Sequence, residues 1–135
     1  MLTRLIYASE TVEGLNPASL QGLLDHARAA NERRNITGVL IFDSRWFMQA
    51  LEGDRSTVNQ VFNRIAADPR HRRVELLEVA ATDERHFARW SMAFAAADAA
   101  RRELFLRWGT EPTFNPHTMT APAALALLNA LASSA

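Results

Sequence analysis

At 135 residues and 15.1 kDa the chain has the length of one domain, and its 48% apolar content excludes a disordered tail. Fifteen basic and fifteen acidic side chains cancel, which argues against a dedicated nucleic-acid binder. Every basic residue is Arg and there is no Cys. Schiff-base and P-loop lysines are therefore excluded, as are thiol catalysis, thiolate metal sites and disulfides. The apolar run at Leu2–Ala8 is too short for a signal peptide, and no stretch of about 18 apolar residues offers a membrane span. A cytoplasmic protein with no membrane partner is expected. The sequon Asn35-Ile36-Thr37 is then a chance match.

Leu2 to Ala8, short and apolar, predicts a first strand. Asn16-Pro17 opens a helix, with Asn as cap and Pro in the first turn. Leu20, Leu23, Leu24, Ala27 and Asn31 share helical spacing, so Asn31 falls on the buried stripe. That helix should end near Arg33 or Arg34. Ile36 to Asp43 and Trp46 to Glu52 form a hairpin about a turn at Asp43-Ser44-Arg45. Side chains alternate along a strand, so Gln49 shares the inward face with Phe47 and Leu51. Val58, Val61, Phe62 and Ile65 mark a second helix, stopped by Asp68-Pro69. Val74 to Ala81 predicts a fourth strand, and the alternation at Trp90–Phe94 a short fifth. The first six elements spell the split βαβ pattern of a ferredoxin-like α+β fold. From Ala95 the composition turns to Ala and Leu. Helices are expected over Asp98–Trp108 and Ala121–Ala132, split by a loop at Pro112–Pro116, and would cover the second sheet face. The expected division is residues 1–95 and a two-helix extension, residues 96–135.

Four scattered His show no ligand-like pairing, and neither a nucleophile elbow nor a Gly-rich phosphate loop occurs. What stands out is a polar set on faces that should be apolar: Tyr7, the only Tyr, with Asn31 and Gln49. Each alone could be a core group bonded to backbone. Together they would suit a ligand rich in carbonyls and ring nitrogens, because an unpaired buried amide costs about 1–3 kcal/mol.

The residues Tyr7-Ala8-Ser9, Asn31 with Asn35-Ile36-Thr37-Gly38, Phe47-Met48-Gln49-Ala50-Leu51-Glu52-Gly53, Asp68-Pro69-Arg70-His71 and Trp90-Ser91-Met92 closely resemble the BLUF family of flavin-binding blue-light sensors, in order and in spacing. The tail resembles the two-helix extension of short, stand-alone members. The resemblance implies a ferredoxin-like sheet with a non-covalent flavin between the first two helices. FAD is the implied cofactor, and FMN or riboflavin would fit the same ring pocket. Tyr7 would be the redox-active phenol and Gln49 its bridge to the ring. Asn31 would hold the ring's carbonyl and imide edge. Trp90 and Met92 would lie on the fifth strand beside Gln49, tuning it or carrying the signal outward, and Ser9 would assist Tyr7. Arg64, Asp68, Arg70 and His71 would lie near the ribityl-phosphate tail. With no Lys, any phosphate contact must come from Arg, His or backbone. Ala30 stands where some relatives carry a polar residue, so ring contacts there would be fewer. The signal would leave through a downstream protein or a homo-oligomer, with no enzymatic step. The rivals are a flavin-dependent oxidoreductase and a non-photoactive ferredoxin-like binding module.

Overall fold

In the computed structural model, residues 1–12, 17–43, 45–96 and 101–132 are described. Five strands and four helices follow in the order β1 (Leu2–Thr11), α1 (Pro17–Arg33), β2 (Thr37–Phe42), β3 (Trp46–Asp54), α2 (Arg55–Ala67), β4 (His71–Ala81), β5 (Ala93–Ala96), α3 (Arg102–Trp108) and α4 (Ala121–Ala132). The sheet order is β4-β1-β3-β2-β5, with β5 parallel to β2 and every other pairing antiparallel. The expected ferredoxin-like α+β sheet is present, and both C-terminal helices are there.

Period-2 alternation divides the sheet into two faces. Leu5, Tyr7, Leu40, Phe42, Phe47 and Leu51 point to α1 and α2, where Leu24 and Val58 meet them. Ile6, Val39, Ile41, Met48 and Ala50 point the other way, onto Leu127, Leu128 and Leu131 of α4 and Phe105 of α3. Each fully buried Leu of α4 contributes about 1.5–3 kcal/mol from leaving water, which is what holds that short helix on the sheet. Asp54 caps α2, its carboxylate accepting from the Ser56 amide.

Several boundaries differ from expectation. β1 runs on to Thr11 and β4 begins at His71, because the two strands pair with each other to their ends. α3 begins at Arg102; Asp98 and the cap Asn16 lie outside the described residues, as does Ser44 of the hairpin turn. β5 begins at Ala93, so Trp90 and Met92 precede it. Residues 82–92 are irregular instead, held by bonds to distant strands. Glu52, fully buried, accepts from the amides of His86 (2.6 Å) and Phe87 (2.8 Å). A buried carboxylate needs such partners. Among the described residues no helix is long and apolar enough to cross a membrane.

Candidate functional site

β1 and β3 pair with Tyr7 opposite Gln49, so the phenol and the amide leave the same sheet face side by side. Both are buried. The Tyr7 hydroxyl donates a hydrogen bond to Gln49 Oε1. The other end of the amide, Nε2, donates to Met92 Sδ at 3.3 Å. A chain of three side chains thus runs from β1 through β3 to the segment entering β5. Desolvation pushes the Tyr7 pKa well above that of a free phenol. The hydroxyl therefore stays protonated at any ordinary pH.

Two adjoining hollows of about 170 and 440 Å³ open between α1 and α2 and share Gln49, His26, Ala27, Ile65 and Asp68 as walls. The larger has the size of a ligand cleft, about 300–1,000 Å³. One has Tyr7, Leu40, Phe47 and Met92 on its floor. The other carries Asn31, Leu51 and the cations Arg33, Arg34 and Arg64. The donor set suits a flavin: apolar side chains for a flat ring, two carboxamides for its carbonyl and imide edge, and guanidinium groups for an anionic tail.

Asn31 is 4% exposed, as its helical phase predicts, yet its Nδ2 donates to the Ser91 carbonyl at 3.0 Å. The amide thus reaches the segment before β5 as well as lining the cleft. The Ser9 hydroxyl pairs with His71 Nδ1 at 2.9 Å rather than with the Tyr7 hydroxyl, which donates to Gln49. His71 packs on the Phe47 ring, and burial lowers its pKa. Asp68 lies in both hollows, and its hydrogen bonds from Arg70 lower its pKa to about 2. Arg64 is exposed at the rim.

Trp90 and Met92 part company. Met92 is buried against Gln49, whereas Trp90 is half-buried against the α3/α4 cluster with Arg89 over its ring. The expected strand rested on alternation, and the place of both residues beside Gln49 on the family resemblance. The chain turns at Phe87–Trp90 (Trp90 N to Phe87 O, 3.1 Å) and bends at 91–92, so alternation does not apply there. Arg28 was missed by sequence reasoning. Its Nε donates to the Met92 carbonyl at 2.9 Å. The available signal was helical phase, since Arg28 stands one turn before Asn31. Among the described residues no group of three or more His, Asp or Glu is placed to hold a metal.

A ferredoxin-like sheet with a buried phenol–carboxamide pair facing a cleft between its helices has the build of a small ligand-binding domain. A family model described as "BLUF: Sensors of blue-light using FAD" matches residues 2–93. The chain belongs to that family of flavin-binding blue-light sensors. It is 31% identical over 98 residues, 72% of its length, to photoactivated adenylate cyclase subunit beta of Euglena gracilis. It is 36% identical over 78 residues, 57% of its length, to the blue light- and temperature-regulated antirepressor BluF of Escherichia coli (strain K12). The chain spans 11% and 19% of those two proteins. Among solved structures, BlsA in its ground state superposes with a TM-score of 0.84 at 36% identity, covering 98% of this chain and 88% of that one. The dark state of the BLUF protein BlrB gives 0.80 at 28% identity, covering 99% and 97%. The C-terminal helices are thus part of a shared architecture.

Proposed function

We propose that this chain senses blue light through FAD held between α1 and α2, with FMN or riboflavin able to occupy the same ring slot, and that Tyr7, Gln49 and Met92 form its switch. The observation that carries the reading is the buried Tyr7–Gln49 hydrogen bond at the floor of the cleft. Asn31 would hold the ring edge, and Arg64, with Asp68 and His71 nearby, would meet the tail.

A bound flavin supplies the blue absorption and, when excited, a one-electron acceptor. Tyr7 is the donor that burial has prepared. Losing an electron while keeping its proton would leave a bare charge in an apolar site, which is costly. The hydroxyl hydrogen points at Gln49 Oε1, so the amide is the first group on the proton's path. A protonated amide would itself be a buried charge, so Nε2 would give up a proton toward the cleft as Oε1 takes one. Gln49 accepts at one end and donates at the other. Rotation or tautomerisation of its amide changes what it offers to Tyr7, to Met92 and to the cleft. Each exchanged hydrogen bond is worth about 1 kcal/mol. That biases a two-state element without forcing a large rearrangement.

The output is then a small motion, passed from Met92 into β5 and on to α3 and α4. Residues 1–95 act as the sensor and 96–135 as the extension that presents the signal. A protein partner or a second copy of the chain receives it; the Escherichia coli relative, named an antirepressor, offers a precedent for a protein receiver. No turnover is assigned to this chain.

The test is an absorption spectrum of the flavin-loaded protein before and after blue illumination, followed into the dark. A small, reversible shift to longer wavelength is expected. Tyr7→Phe should keep the pigment and lose the shift. A Tyr7→Phe protein that switches normally overturns the role of Tyr7. A wild-type protein that binds flavin without photochemistry, or that turns over reduced nicotinamide, overturns the sensor reading.

A further inference from the structure

Three consecutive carbonyls precede β5, and each is held by a donor from another element. The Trp90 carbonyl accepts from the Gly38 amide of β2 at 3.1 Å. The Ser91 carbonyl accepts from Asn31 Nδ2 at 3.0 Å, and the Met92 carbonyl from Arg28 Nε at 2.9 Å. Gly38 has no room for a side chain: a Cβ there would stand 2.0 Å from the Ala50 carbonyl oxygen and 3.2 Å from Met92 Cε. The Met92 main chain is therefore pinned from two sides, by β2 through its neighbours and by α1 directly.

The two α1 donors differ in what else they face. Asn31 lines the cleft between α1 and α2. Arg28, one turn earlier on the same side of the helix, faces a surface hollow shared with Arg89, Trp90 and Met92 instead. Its side chain is 38% exposed, and it makes a loose ion pair with Asp25 Oδ1 at 3.9 Å. An arginine spending its Nε on a main-chain carbonyl is positioned by that bond and positions its acceptor in return.

We infer that Arg28 is a positioning residue for the switch: by holding the Met92 carbonyl it keeps the thioether against Gln49 Nε2 and so sets the stability of the dark arrangement. The inference deepens the proposed function and rests on it for its kinetic arm. With Arg28 removed, the Met92 main chain loosens and Gln49 Nε2 loses its acceptor. The dark arrangement is then less favoured, and the return to it from the lit state slows.

The experiment uses the full flavin-loaded chain with its methionine methyls labelled with carbon-13. Met92→Leu identifies the Met92 signal among the four methionines. In the dark, Arg28→Ala should shift or broaden the Met92 methyl while the Met48 and Met119 methyls stay in place. Dark recovery should slow about threefold, the effect of losing one weak hydrogen bond, with flavin affinity unchanged. Arg28→Lys keeps a cation and an N–H donor, and should restore most of both readouts. An unmoved Met92 methyl in Arg28→Ala overturns the inference. So does a loss of flavin affinity with the methyl unmoved, or an equal effect from Asp25→Asn, which would make the charge rather than the bond responsible. A wild-type protein with no light response would sink the sensor reading alone, because the dark methyl spectrum still decides the role of Arg28.

Discussion

The two faces of the sheet are built to different rules. The α3/α4 face buries Ile6, Val39, Ile41, Met48, Ala50 and the Leu residues of α4 in one apolar cluster. The α1/α2 face buries apolar groups too, but sets Tyr7 and Gln49 among them and leaves a cleft above. A close-packed interior transmits strain and tolerates little change. A face with a hollow and a satisfied polar chain can rearrange at the scale of single hydrogen bonds. The same five strands thus serve as a stable platform on one side and a responsive surface on the other.

That contrast can be broken most sharply at Gln49. Gln49→Leu fits the apolar surroundings, should keep flavin bound, and should abolish the light-induced shift entirely in a difference spectrum. Its melting temperature should fall by several degrees, since the buried Tyr7 hydroxyl left without its acceptor costs about 1–3 kcal/mol. Leu128→Ala is the mirror experiment. It opens a cavity on the packed face and should cost about 2–5 kcal/mol in denaturant unfolding, with the spectral shift still present. Asn31→Ala should weaken flavin binding about tenfold in an equilibrium titration, from the loss of one or two hydrogen bonds. It should also raise amide exchange near Ser91.

The smallest effect is a pH dependence of the responsive face. Burial lowers the His71 pKa, so the unfolded chain takes up this proton first on acidification. Its contribution to stability is complete above about pH 6.5, the ordinary His value, and declines as pH falls below it. His71→Asn should flatten the melting temperature between pH 7 and 5 relative to wild type.

Much of this was legible because it depends on local periodicity. Alternation along β1 and β3 puts Tyr7 and Gln49 on one face, and the 3.6-residue period puts Asn31 on the buried side of α1. The segment before β5 defeated that reasoning. Trp90, Ser91 and Met92 alternate by residue type, but their path is set by Glu52, Gly38, Asn31 and Arg28, all distant in sequence. No local rule reports such bonds. The pairing of Ser9 with His71 escaped for the same reason.

Residue order by itself determined the strand–helix sequence, the apolar faces and the chemical kit of one phenol, two amides on inward faces and an all-arginine set of basic residues. Periodicity is a property of the chain, and burial follows it. Which partner each polar group takes was decided only by tertiary structure. A hydrogen bond needs its two atoms within about 3 Å, and that distance is set by how the strands register and how α1 lies across them.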